Sequence, residues 1–460
     1  MKGKIPLFSL VLLIVSAIDS IRTLPTTAYF GSSLIFFFLL SAILFLVPIA
    51  FVSAEFSSRY PEEGGVFHWV RHAFGDRAAA LTVWLQWINT MVWYPTMLLF
   101  IAGTAAHLIN PVLAGSKLFL LCMALITFWG LTFVNLKGIQ VSARVNSICG
   151  TIGTLLPMVF LIILGIWWAL LGKPISVSFS LSTLIPSLNL LDNSSALVTI
   201  MASFLGMELA GVHVGDIQNP QKNFPKAIGY SVLLLLGTLM FGSLSVAAVI
   251  PKNEIHFVDG VMQTFTTFFD VFHISYLVPV LALLIMVGST GGSVNWLLSP
   301  AKGLLQAAEH GFLPNFFLAK NKHGVSLRIL ILQAIVVSVF CLSIQLVPSV
   351  NAYYWFLMAL STGLYMLMYI LLFLSALKLG RPGKELLSYQ IPRGIRTVSC
   401  LAGLIGCTIT IIVGFQPSPD VIIQNKLYYA GTIALGFILL ISPVSFLWFY
   451  QKRGEKIADV

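Results

Sequence analysis

Three charged side chains lie inside long apolar runs of this sequence. Asp19 and Arg22 fall within Ser16-Ala17-Ile18-Asp19-Ser20-Ile21-Arg22-Thr23-Leu24-Pro25, and Glu208 falls within Ser203-Phe204-Leu205-Gly206-Met207-Glu208-Leu209-Ala210-Gly211. A charge at bilayer depth costs roughly 2.5–3.5 kcal/mol on insertion scales, so such residues mark a solute path or an internal ion pair. Both stretches also carry residues that interrupt a helix. Gly206 and Gly211 permit the backbone angles of a break, and Pro25 is expected to end the first run while removing a donor. An unwound segment exposes backbone groups that hydrocarbon cannot satisfy, which lining an aqueous cavity resolves. N–H groups at the start of a half-helix suit a carboxylate, and carbonyls at the end of one suit an ammonium. An α-amino acid carries both charges.

The individual side chains each leave alternatives open. Asp19 and Arg22, three apart, share a face if the turn stays helical; they form an internal ion pair, or Arg22 forks onto a substrate carboxylate. Glu208 is a proton-titrated gate, an amine ligand, or a buried acid held by the backbone. Tyr365 and Tyr369, four apart, share a face and either pack or line a cavity, where each phenol requires a partner. Ser16, Ser20, Thr23 and Thr362 are hydroxyl ligands or helix–helix contacts. No Walker loop, dinucleotide fingerprint, His-x-x-x-His or Cys-x-x-Cys spacing occurs, so no cofactor, metal or enzymatic activity is expected.

The elements that must position these residues follow from composition. The chain has 460 residues, 58% of them hydrophobic and only 9% charged, with a mean hydropathy of +0.94. That describes a polytopic, all-helical membrane protein. Its net charge of +10 does not imply nucleic acid, because the basic residues lie in short loops between apolar runs. Runs long enough to cross the hydrocarbon core lie near 6–30, 32–54, 78–108, 117–135, 147–171, 195–215, 226–250, 275–303, 327–346, 352–377, 397–415 and 427–450. Twelve helices are therefore expected in one membrane domain. The segments 78–108 and 275–303 are long enough to tilt or to project into an end cap.

Of the 26 Lys and Arg, Lys117, Lys173, Lys252 and Lys426 fall on one side, Arg22 falls within the membrane, and the others lie on the side holding both termini. The positive-inside rule makes that side cytoplasmic. The first run is read as an uncleaved helix, since no small-residue cleavage site follows it. Cys122, Cys149, Cys341, Cys400 and Cys407 all fall inside runs and are expected to pack as thiols without disulfides. The outward loops 172–194 and 251–274 are expected on the surface. Pro61-Glu62-Glu63-Gly64-Gly65 opens an amphipathic helix with Phe67, Trp69 and Val70 on its apolar side. Overlaying the first five helices (6–171) on the next five (195–377) puts both interruptions in the first helix of each set, with 397–450 as two additional helices. Inverted repeats of this kind hold substrate at the midplane.

Four stretches carry a resemblance to a known family. They are Glu62-Glu63-Gly64-Gly65-Val66-Phe67 with Trp69-Val70; Gly206-x-Glu208 with His213-Val214 and Asn219-Pro220; Val249-Ile250-Pro251-x-Asn253-Glu254-Ile255; and Gly260-Val261-Met262-Gln263-Thr264-Phe265-Thr266. Through these the chain resembles the amino acid–polyamine–organocation transporters, and within them the bacterial glutamate/GABA antiporters. The resemblance implies a LeuT-like five-plus-five inverted repeat with helices 1 and 6 discontinuous, in a bacterial inner membrane. It also implies alternating-access exchange of an external amino acid for an internal product. Glu208 maps to the glutamate of the sixth helix, and Tyr365 and Tyr369 map to tyrosines of the tenth. The chain departs from the family at Gly292, where an acid can stand in the eighth helix, and at Arg22, where an aromatic residue is expected. It also ends ten residues after the last run, so a C-terminal plug is not expected. A proton-coupled amino acid symporter is the alternative on the same fold, and a sensor that binds without transporting is a further reading. A channel or membrane enzyme would need a polar pore ring or a catalytic constellation, and neither is visible.

Overall fold

A computed structural model describes residues 5–60, 65–138, 151–186, 195–209, 217–347, 349–380, 390–417 and 426–458. Among the described residues eleven helical segments are long and apolar enough to cross a membrane, and Ser195–Leu209 adds a shorter apolar one. The protein is thus an all-helical, multi-pass membrane protein. The sixth expected span, 195–215, is described only to Leu209, and 139–150 likewise lies outside the described residues.

The chain begins with α1 (Leu7–Ile18) and α2 (Leu24–Ala28), separated by a break and a single tight turn at Ile21–Thr23. The second span runs as α3 (Leu34–Ser41), a π turn at Ala42–Leu46, and α4 (Val47–Arg59). Sequence explains that π turn. Pro48 has no N–H to donate to the preceding turn, and widening the helix just before it absorbs the missing bond. The same pairing recurs where a π turn at Thr151–Leu155 precedes Pro157 at the start of α8 (Leu156–Leu170).

Between these lie α5 (Val66–Phe74), α6 (Asp76–Ile109) and α7 (Lys117–Leu136). As its apolar side required, α5 buries Phe67, Trp69 and Val70. The acidic pair Glu62 and Glu63 lies outside the described residues. With 34 residues, α6 is about 50 Å long at 1.5 Å per residue and exceeds the bilayer core.

The second half comprises α9 (Ser195–Ser203), α10 (Pro220–Val249), α11 (Gly260–Val271), α12 (Val278–Glu309), α13 (Leu327–Leu342) and α14 (Val350–Leu379), followed by α15 (Arg393–Gly414) and α16 (Lys426–Ala458). Asn219, with φ +46°, turns the chain into α10 through the left-handed region that Asn tolerates better than most side chains.

Two long helices, α12 and α14, each pack against the long α6, while α10 packs along α1, α2, α4 and α8. On α8, Leu156, Val159, Ile163 and Ile166 are exposed at helical spacing, whereas Leu161, Leu164 and Trp168 are buried. The exposed stripe is the face such a helix turns to lipid.

The expectation that 251–274 lies on the surface requires correction. Phe257, Val258, Val261, Met262, Phe265, Phe268 and Phe269 are all buried, and Gly260 lies so close to Pro25 that an added Cβ would come within 2.9 Å of its ring. The segment is polar at its ends but carries an apolar face at helical spacing, which docks over α2 as a cap. Cys122, Cys341, Cys400 and Cys407 are free thiols, Cys122 being exposed, and Cys149 lies outside the described residues.

Candidate functional site

The first helix breaks between two charges. α1 ends at Ile18; Asp19 (φ −64°, ψ 118°) and Ser20 (φ −136°, ψ 111°) are extended, and Arg22 sits in the tight turn that follows. Pro25 does not end the first half, as expected from sequence, but lies in the first turn of the second. There its missing N–H costs nothing, because first-turn donors have no intrahelical acceptor.

With the turn between them extended, Asp19 and Arg22 do not share a helix face, and no ion pair joins them. Thr238 of α10 donates to Asp19 Oδ2 at 2.8 Å, while Oδ1 has no partner. Arg22 Nη1 donates to Thr96 Oγ1 of α6 at 3.0 Å and to the Tyr354 phenol of α14 at 2.6 Å. The guanidinium also lies over the rings of Trp93 and Tyr354, 5.3 and 5.9 Å from their centroids. Its Nε has no partner. Both residues are nearly inaccessible, Asp19 at 3% and Arg22 at 5% exposure.

The second break follows α9. Gly206 takes φ +107°, which favours glycine, and a Cβ there would meet the Trp296 indole at 2.8 Å. Its backbone N–H, freed by the break, donates to the Tyr369 phenol at 2.9 Å. The same phenol donates to Glu208 Oε2. Tyr365 donates to the other carboxylate oxygen, and Gln86 of α6 donates to that oxygen at 3.1 Å and to Tyr365 at 3.2 Å. Glu208 is therefore held by side chains from α6 and α14. Gly211 lies outside the described residues.

A cavity of about 40 Å³ opens at the first break, room for a few waters. Ser16, Asp19, Ser20, Arg22 and Thr23 line it, together with Trp93, Thr154, Ser203, Ser289, Gly292 and Trp296. Asp19 and Arg22 are its charged residues among those described; Glu208, Tyr365 and Tyr369 are not part of its wall. Trp93 and Trp296 stack at 5.1 Å across it, and Trp296 also contacts Tyr365 at 5.9 Å. Trp296 thus stands between the cavity and the carboxylate network. Beside the cavity, Gly153 and Gly288 bring two helices into backbone contact, where a Cβ on either would come within 2.4 Å of the other's backbone. Among the described residues no three His, Cys, Asp or Glu gather as a metal site would require.

Above the cavity, Phe257 of the cap contacts Tyr29 and Tyr354 at 6.0 and 6.3 Å. The cap is clasped to the end of α6 through Asp259, whose two oxygens each lie 3.2 Å from a ring nitrogen, of His107 and of His256. Burial pushes the Asp259 carboxyl up, but the two histidines offset this and hold it down at about 2. The hydrogen bond to Asp259 raises His256, against a smaller opposing effect of burial.

Sequence reading passed over Trp93, Thr96, Gln86, Thr238, Trp296 and Tyr354. Gln86 had a signal, an amide inside the apolar run Trp84-Leu85-Gln86-Trp87. The tryptophans had none, since single aromatic residues are common in membrane spans.

The sequence profile described as amino acid permease matches residues 5–439. The chain is 39% identical over 459 residues to an uncharacterized transporter of Legionella pneumophila, covering 99% of this chain and 98% of that one. A glutamate/gamma-aminobutyrate antiporter of Lactococcus lactis subsp. lactis is 29% identical over 462 residues, 98% of this chain and 92% of the relative. A probable agmatine/putrescine antiporter of the same organism is 24% identical over 389 residues, 84% and 81% of the two chains. With two helix breaks and a buried polar cavity at the first of them, the chain belongs to the amino acid permease family of the amino acid–polyamine–organocation transporters.

Proposed function

We propose that this protein is an inner-membrane amino acid antiporter with twelve spans and a five-plus-five inverted repeat. It exchanges an external amino acid, glutamate-like or another zwitterion, for an internal amino acid or amine product by alternating access. One observation carries this reading: the cavity formed where the first helix breaks is walled by the last turn of α9, just before the second break, and holds one buried acid and one buried base. That is where transporters built on broken helices hold their cargo. The distribution of Lys and Arg supports cytoplasmic termini, and the similarity to two proteins named as antiporters supports exchange.

In this reading Ser16, Asp19, Ser20, Arg22 and Thr23 touch the cargo. Glu208 with Tyr365, Tyr369 and Gln86 gates it by holding the Gly206 break against α6 and α14. Cargo enters when Trp93 and Trp296 part.

The test is uptake into vesicles containing the purified protein, preloaded with each amino acid in turn or left empty, across pH 5 to 8. Antiport requires internal cargo, so equal uptake into empty and loaded vesicles overturns it. Uptake into empty vesicles driven by a proton gradient would identify a symporter instead.

A further inference from the structure

Resting on the cavity assigned above, the two charges in its wall narrow the cargo further. Each is more than nine-tenths buried and has no ionic partner among the described residues. Asp19 spends one oxygen on a neutral hydroxyl and leaves Oδ1 bare. Arg22 spends Nη1 on two neutral hydroxyls, and its Nε–Nη2 edge makes no bond among the described residues. That edge is one of the two forks by which guanidinium takes a carboxylate bidentately.

The backbone adds to the negative charge: Asp19 caps the C-terminal end of α1, where the last carbonyls point onward without intrahelical donors, and Arg22 lies in the turn that follows. The break is therefore negative on its α1 side and positive on its α2 side. Uncompensated buried charge is costly, and a ligand supplying both opposite charges satisfies the two at once.

We propose that Asp19 and Arg22 form a paired subsite selecting cargo that carries both an ammonium and a carboxylate, with the ammonium toward α1 and the carboxylate toward α2. A diamine would set its second ammonium against Arg22, and a dicarboxylate without an amine would set a carboxylate against Asp19. Both are excluded by like-charge opposition. Exchange of an amino acid for a carboxylate-free amine is then ruled out, so both exchanged species are zwitterions.

The experiment uses the purified full chain in nanodiscs. The twenty common L-amino acids and 4-aminobutyrate are screened by thermal stabilisation, and the strongest is used as labelled probe against glutarate and putrescine. The wild-type protein is expected to prefer the zwitterion over either competitor by about 100-fold. Asp19→Asn should bring glutarate within about tenfold of the zwitterion while still rejecting putrescine, and Arg22→Gln should do the reverse. Competition by putrescine or glutarate on the wild type at the zwitterion's own concentration overturns the proposal, as does stabilisation by no zwitterion. Equal weakening of all ligands in both variants also overturns it. The wild-type competition stands alone if a variant does not fold. Charge-selective binding without exchange in loaded vesicles would refute antiport and leave this subsite intact.

Discussion

Tyr365 and Tyr369 are chemically identical, fully buried, one turn apart and both bonded to Glu208, yet their hydroxyls have unequal roles. Removing the Tyr369 hydroxyl strips Glu208 Oε2 of its donor and leaves the Gly206 N–H without an acceptor. Each orphaned buried group costs about 1–3 kcal/mol, more where it is charged. Removing the Tyr365 hydroxyl takes one acceptor from Gln86 but leaves Gln86 still donating to the same carboxylate oxygen, so no carboxylate oxygen is stripped and the loss is about 1 kcal/mol. Tyr369→Phe should therefore be worse than Tyr365→Phe by about 1–3 kcal/mol, a five- to 150-fold difference in the equilibrium that the network biases. Exchange rate and cargo affinity in vesicles, with thermal melting in nanodiscs, measure it. A second comparison isolates the backbone bond. In a Glu208→Gln background Tyr369→Phe should remain harmful, because Gly206 still loses its acceptor, whereas Tyr365→Phe should be milder, costing only the contact with the Gln86 amide. Equal effects of the two single substitutions, or a greater effect at Tyr365, would refute the assignment.

Other consequences are as direct. Gly288→Ala drives a methyl into the Gly153 backbone; overpacking of this kind costs about 1–3 kcal/mol, so melting should fall, and wild-type melting with wild-type exchange would show the contact to be absent. Arg396 donates to Glu55 at 3.1 Å, both side chains being 6% exposed, and to the Gly380 carbonyl. Glu55→Gln should destabilise by about 3–5 kcal/mol, while Glu55→Met combined with Arg396→Met should be milder than either single change, as double-mutant melting will show. For the clasp of the cap, the depressed Asp259 carboxyl stabilises above its ordinary value of 3.8 and loses that contribution as pH falls toward about 2. The raised His256 stabilises fully below its ordinary value of 6.5 and loses that contribution as pH rises through its shifted value. Amide exchange at 255–260, corrected for its intrinsic pH dependence, should be slowest between about pH 4 and 6.5, and His256→Gln should remove the alkaline rise.

Much of the architecture could be read directly, because a run of apolar residues long enough to cross a bilayer has few alternatives. The break in the first helix was legible for the same reason, since Asp19 and Arg22 have no place in lipid. Its register was not. Pro25 reads as a stop, but one turn further on it is a start, and only the extended angles at Asp19 and Ser20 decide between them. The partners of Glu208 were hidden because Gln86 and Tyr369 reach it from helices remote in sequence. The cap was misread from the polar ends of 251–274, although Val261, Phe265 and Phe268 already marked a buried helical face.

The bare charges at the first break bear on how such a carrier would return. With cargo aboard, Asp19 and Arg22 each face an opposite charge, and the walls can close over a neutral whole. Without cargo, closing the walls would strand both charges away from water, each at several kcal/mol. For the proposed exchange, the consequence is a turnstile: the loaded form crosses readily, the vacant form stalls, and the inward journey of one molecule is bound to the outward journey of another.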